Sequence, residues 1–171
     1  MDRVTAPSPP RAEPSAPWPS DVRVPSAMER ALEQAERAAA EGEIPVGAVL
    51  VDATGRVLAA EHNRCEALHD PTAHAELLVL RRACSTGGRV RLPADTLLVV
   101  TLEPCAMCAG ALVWARVGAL AFAAPDPKAG ACGSLRDVPA DPRLNHRVRR
   151  VAAPGAERSA ALLRGFFAAR R

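Results

Sequence analysis

Thr96-Leu97-Leu98-Val99-Val100-Thr101-Leu102-Glu103-Pro104-Cys105-Ala106-Met107-Cys108 changes backbone type partway through. Residues 96–101 are β-branched and apolar without alternation, the pattern of a strand buried on both faces. Pro104 suits the opening of a helix because its fixed φ is already helical. The apolar run that follows predicts a helix to about Val117. Ala119–Ala123 then reads as another strand. Strand, helix and strand in succession imply a parallel pair in an α/β layered domain.

The flanking sequence extends this pattern in both directions. Towards the N-terminus, Asp70-Pro71 predicts a helix start, with Asp as cap and Pro in the first helical position, running to about Cys84 and stopped by Gly87-Gly88. Val46–Val51 reads as a buried strand and Val57–Ala60 as its hairpin partner across the turn residues 52–55. Ser26-Ala27-Met28-Glu29 matches a capping box, and Met28, Ala31, Leu32, Ala35 and Ala39 follow at helical spacing up to a stop at Gly42. Towards the C-terminus, residues 130–138 read as a loop with a short helix, and Arg147–Val151 as a fifth strand. Glu157–Arg171 reads as a closing helix packed through Leu162, Leu163, Phe166 and Phe167.

Met1–Pro25 holds Pro7, Pro9, Pro10, Pro14, Pro17, Pro19 and Pro25 of the 16 prolines. It is expected to be a disordered tail (residues 1–25) before one folded domain (residues 26–171). Asp2, Glu13 and Asp21 speak against a transit peptide. With 171 residues, 49% hydrophobic and 24% charged, the chain suits one soluble domain. No apolar run approaches the length of about 18 residues that spans a bilayer, so no membrane partner is expected. The net charge of +3 is compatible with a nucleic-acid partner without requiring one. Aromatics at 3%, with no Tyr, disfavour a binder built on base-stacking platforms. Five cysteines without a secretory signal point to a reducing cytoplasm, where close cysteine pairs serve metal binding or catalysis.

Two segments carry chemistry: His74-Ala75-Glu76 and Pro104-Cys105-Ala106-Met107-Cys108. Cys105 and Cys108 are three apart at a helix start, so their sulfurs share one side, and the helix dipole favours the thiolate that binds metal. Alone, this pair fits a redox motif as well as a zinc site. His74 adds a third ligand. One His and two Cys suit tetrahedral Zn²⁺ and leave a fourth position open, the mark of a catalytic site. Glu76 is two residues from His74 and diverges from it on a helix, so it is expected beside the metal as a proton carrier for bound water.

The H-x-E and P-C-x-x-C pair resembles the zinc-dependent nucleobase deaminases. The resemblance narrows to the bacterial tRNA-specific adenosine deaminases through Pro45–Val49, Asn63-Arg64, Asp70–Glu76, Thr101–Gly110, Asp126, Lys128, Gly133–Leu135 and Asn145–Arg147. It covers residues 26–171, essentially everything but the tail. It implies a three-layer α/β/α cytidine-deaminase-like fold with a five-stranded mixed sheet. It further implies one Zn²⁺ per subunit on His74, Cys105 and Cys108, hydroxide attack on C6 of adenine with Glu76 as proton shuttle, and Asn63 as a nucleoside-binding residue. The reaction class is hydrolysis of an amidine C–N bond, converting adenosine to inosine at the wobble position. The implied partners are a tRNA anticodon stem-loop and a second copy of the chain, in the cytoplasm. Lys128, His146, Arg147 and Arg170 are the candidate RNA contacts, with Arg164 and Arg171 as further basic positions. His62 and His69 read as surface or loop histidines, and Cys84 as a buried hydrophobe. The rival readings are a deaminase of a free base or nucleotide, of guanine or cytosine type, a non-catalytic zinc module that binds RNA, and a redox enzyme.

Overall fold

The computed structural model describes residues 21–170. The expected tail therefore lies outside the described residues for positions 1–20. At positions 21–25 the expectation is corrected: Val24 and Pro25 already belong to the first helix, α1 (Val24–Ala40). Pro is tolerated there because first-turn amides have no helical partner. The capping box is not formed either. Arg23 is the N-cap, the Ser26 hydroxyl meets the Arg23 carbonyl at 3.3 Å, and Glu29 pairs with Arg158. The other end of α1 follows expectation. Gly42 takes φ +84°, and the Glu43 and Gly42 amides close back onto the carbonyls of Ala38 and Ala39, the Schellman pattern.

The described strands form one mixed sheet in the order β2-β1-β3-β4-β5. They are β1 (Gly47–Val51), β2 (Val57–His62), β3 (Leu97–Leu102), β4 (Ala119–Ala124) and β5 (Arg149–Val151). β1 pairs antiparallel with β2 and with β3, while β3–β4 and β4–β5 are parallel. The helices are α1, α2 (Cys65–Leu68), α3 (Ala75–Thr86), α4 (Ala106–Trp114) and α5 (Ala156–Ala168). They complete the three-layer α/β/α fold.

Strand alternation sorts the core. Val49, Val51, Leu97, Val99, Ala119 and Ala121 face α1, whose Ala27, Met28, Ala31 and Leu32 are all buried. Ala48, Leu50, Leu98, Val100 and Leu120 face the opposite layer, with Val79, Leu80, Leu112 and Val113 of α3 and α4. Each such Leu or Val contributes about 1.5–3 kcal/mol when removed from water. The closing helix is less buried than expected. Leu162 packs on the α1-side core, but Ser159 is the one buried residue of α5 and Phe167 is 49% exposed.

The sheet gathers several termini at one end. The Gly47 amide at the start of β1 donates to Thr101 Oγ1 at 3.1 Å, and Gly47 pairs with His62 at the end of β2. The start of β1, the end of β2 and the ends of β3 and β4 therefore share one edge, and the loops leaving that edge build the site.

Candidate metal centre and active site

α3 and α4 begin at this edge, one residue after a functional side chain each. His74 is the N-cap of α3 and Cys105 the N-cap of α4, both with extended backbone. This corrects the sequence expectation by part of a turn. Asp70-Pro71 opens no helix. Asp70 Oδ1 instead accepts the Thr72 amide and hydroxyl at 2.8 and 2.6 Å, making a turn that delivers His74 to the helix start. The short helix α2, absent from the sequence reading, precedes that turn. It buries no residue, and its Ala67 amide is held by Glu43 Oε1 at 2.8 Å.

The extended caps turn three side chains towards one another. His74 Nδ1 lies 3.8 Å from Cys105 Sγ and 3.5 Å from Cys108 Sγ, and all three ligand atoms fall within 4.8 Å of one another. A tetrahedral zinc with Zn–S near 2.3 Å and Zn–N near 2.0–2.1 Å requires N···S edges of about 3.6 Å and an S···S edge of about 3.8 Å. The donor set and its spacing fit that ion. Cys108 is buried, whereas His74 and Cys105 are half-buried, so the centre is approached from their side.

The electrostatics favour metal capture. The Cys108 thiol and His74 both hydrogen-bond to Cys105 and hold its thiol well below the usual cysteine value, the direction that favours the thiolate. His74 is pushed up from its usual value, first by that same sulfur. Cys108 is pushed well up by sharing its proton with Cys105 and by burial. Glu76 is only 3% exposed and lies beside the Cys108 thiol. Burial pushes its carboxyl up, the direction that suits a group cycling between base and acid near neutral pH.

Asn63, at 6% exposure, sits between β2 and α3. Its Oδ1 accepts the Ala75 amide at 2.9 Å, tying it to the segment that carries His74 and Glu76. The basic candidates divide. Lys128 is exposed on the loop leaving β4, at the site edge. Arg170 donates to the Gly42 carbonyl at 2.9 Å on the same side and lies over the Phe166 ring. His146 Nε2 instead bonds the Val117 carbonyl at 2.7 Å, and the exposed Arg147 precedes β5. Both therefore flank the beginnings of β4 and β5. They thus stand across the length of β4 from the edge where α3 and α4 begin.

His62 also departs from expectation. It is buried at the end of β2, between Gln34 Oε1 at 3.2 Å and Glu41 Oε2 at 3.0 Å, while His69 is exposed in the left-handed cap of α2. Cys84 is half-buried and packs against the α3–α4 core.

One residue of the site has no role in the sequence reading: Glu103. It is 3% exposed at the end of β3, two residues before Cys105. Its Oε1 accepts the amides of Cys132 and Ser134, each at 2.9 Å, and its Oε2 accepts the Asp126 amide at 3.0 Å and the Ser134 hydroxyl. Burial pushes the carboxyl up, but these bonds outweigh it and hold Glu103 below the usual carboxylate value. In sequence it stands inside the Thr101–Gly110 match as a charged residue closing an apolar strand, with nothing there to show which groups it would hold.

Comparison with known proteins matches this geometry. Residues 23–124 fit the zinc-binding region of cytidine and deoxycytidylate deaminases. The tRNA-specific adenosine deaminase of Bacillus subtilis (strain 168) is 43% identical over 140 residues, which span 82% of this chain and 86% of the relative. A solved structure from work on A-to-I editing by tRNA:A34 deaminases at the wobble position of transfer RNA aligns with a TM-score of 0.76 at 43% identity, covering 81% of this chain and 99% of the other. A guanine deaminase from Nitrosomonas europaea aligns with a TM-score of 0.70 at 26% identity, covering 87% and 86%. The chain belongs to the cytidine and deoxycytidylate deaminase zinc-binding family, in its branch of bacterial tRNA-specific adenosine deaminases.

Proposed function

We propose that this chain hydrolyses adenosine to inosine at the wobble position of a tRNA anticodon. The observation that carries the reading is a complete site, with His74, Cys105 and Cys108 converging and Glu76 buried beside them. It occurs in a chain that matches a tRNA-specific adenosine deaminase over most of both lengths.

His74, Cys105 and Cys108 would hold the zinc. When bound, zinc supplies a Lewis acid that makes water a nucleophile near neutral pH. Glu76 takes the proton from the attacking water, delivers it to purine N1 and assists departure of the C6 amine. The balance is adenosine plus water to inosine plus ammonia. Asn63 orients the nucleoside after the base has left the loop's stack. Lys128 and Arg170, on the site edge, contact phosphate. The enzyme acts in the cytoplasm as a homodimer. Support for the second copy comes from exposed apolar residues on α4, Met107 and the 77%-exposed Trp114. Among the described residues, no helix is long and apolar enough to cross a membrane.

The guanine deaminase neighbour supports a second reading, turnover of a free purine base. Incubating the zinc-loaded protein with an anticodon stem-loop and, separately, with free guanine and free adenine decides between them. Inosine in the stem-loop is expected, and turnover of free bases alone would reject the proposal. Gel filtration with light scattering reads the oligomeric state.

A further inference from the structure

The loop from Asp126 to Leu135 leaves β4 at the site edge and folds back over Glu103. Its inner side presents backbone amides and the Ser134 hydroxyl to that carboxylate. Gly130 forms an isolated antiparallel bridge with Cys105, and the Ala131 amide donates to the Pro104 carbonyl at 2.9 Å. Gly130 is pressed so close that a Cβ there would lie 2.4–2.5 Å from the Glu103 carboxylate. Asp126 Oδ1 turns the loop's first half by accepting the amides of Lys128 and Ala129 at 2.9 and 3.2 Å. Its outer side carries the exposed Lys128 and Leu135.

One buried carboxylate thus satisfies three amides spread over nine residues of loop, together with a hydroxyl, and each of its oxygens has two donors. No other side-chain acceptor serves the Cys132 and Ser134 amides among the described residues. None of these bonds reaches His74, Cys108 or Glu76. The network therefore fixes the wall beside Cys105 without forming part of the ligand set.

We propose that Glu103 is a positioning residue: it holds loop 126–135 as the wall of the site that receives RNA, so that RNA affinity depends on Glu103 while zinc retention does not. The RNA part rests on the function proposed above. Glu103→Gln is the sharp test. Whichever way the Gln amide turns, at least one loop amide loses its acceptor. Ser134→Ala is the milder companion, removing only the hydroxyl bond.

The measurements are zinc content, amide hydrogen exchange of the full-length zinc-loaded protein, and kcat and KM on an anticodon stem-loop. Glu103→Gln is expected to keep one zinc per chain and to exchange about ten-fold faster at residues 126–135 than wild type, the rest of the sheet being unchanged. Its KM is expected to rise about ten-fold, with kcat within roughly three-fold. Ser134→Ala is expected to shift the same quantities in the same direction by less, and it carries the test if Glu103→Gln does not fold. Unchanged loop exchange in the folded variants would overturn the proposal. So would loss of zinc, or faster loop exchange with KM untouched. A wild-type protein that does not act on the stem-loop would instead remove the functional reading. Exchange alone would then decide whether Glu103 holds the loop.

Discussion

Asn63 Oδ1 and the Ala75 amide meet at 2.9 Å in a buried position, so the residue expected to read the nucleoside also caps the helix that carries Glu76. The carbonyl end turns inward to α3, and the amide end is the one the proposed nucleoside contact would use. Asn63→Ala leaves a buried N–H without a partner, at a cost of about 1–3 kcal/mol. Asn63→Asp keeps the acceptor and loses the amide. Thermal unfolding is expected to place Asn63→Asp closer to wild type than Asn63→Ala, while both lose turnover of the stem-loop. Equal destabilisation by the two variants would show that the cap is unimportant.

Glu76 is buried, and burial pushes its carboxyl up. Holding it ionised is therefore a cost to the fold, one that the proposed proton-transfer role would account for. Glu76→Gln is expected to retain zinc and to unfold at the same temperature as wild type or higher. Its kcat is expected to fall by about 10²–10⁴-fold, the usual contribution of a positioned general acid–base group. Elemental analysis, calorimetry and a stem-loop assay on the same preparation check all three outcomes. Retained activity would remove Glu76 from its role.

The two-faced strand runs were legible because both sides of the sheet are covered: Val99 and Val100 are neighbours that enter opposite cores, so neither needed to be polar. The ligand triad was legible because donor chemistry restricts it to few residue types. Helix starts were misplaced where local bonds compete. Ser26 and Glu29 matched a cap by spacing, yet Arg158, 129 residues away, takes Glu29. Asp70 spends its carboxylate on a Thr72 turn in place of a helix. The partners of Glu103 were hidden for a related reason. They are backbone amides 23 to 31 residues downstream, and an amide carries no residue identity for a sequence to display. His146 and Arg147 form a basic cluster by composition, and only strand direction reveals that they flank the beginnings of β4 and β5.

Cys105 is half-buried, and its hydrogen bonds to Cys108 and His74 hold its thiol low, the direction that favours the reactive thiolate. Chelation is expected to abolish deamination and to open Cys105 to alkylation, with zinc restoring activity only before alkylation. X-ray absorption on the zinc-loaded protein is expected to show two sulfurs and one nitrogen, the remaining donor being a light atom. A third sulfur would indicate a closed structural centre and would count against catalysis.

Arg23 ties the entry of α1 to two loops. Its guanidinium pairs with Asp21 at 2.6 Å and donates to the carbonyls of Asp52 and Asp95 at 3.0 and 2.7 Å. The Arg23 hydrogen bond holds the Asp21 carboxyl below its usual value, against a smaller opposing effect of burial. A carboxylate depressed in the folded state binds fewer protons there than in the unfolded chain, so its stabilisation is complete above the unfolded value of about 3.9 and disappears as pH falls through the lower folded value. Asp21→Asn is therefore expected to lower stability by about 1 kcal/mol at neutral pH. The gap to wild type should stay constant down to about pH 5 and close below about pH 4. Denaturant titrations of both proteins across that range measure it. A gap that persists at the acid end would mean that Asp21 acts through its backbone contacts and not through its charge.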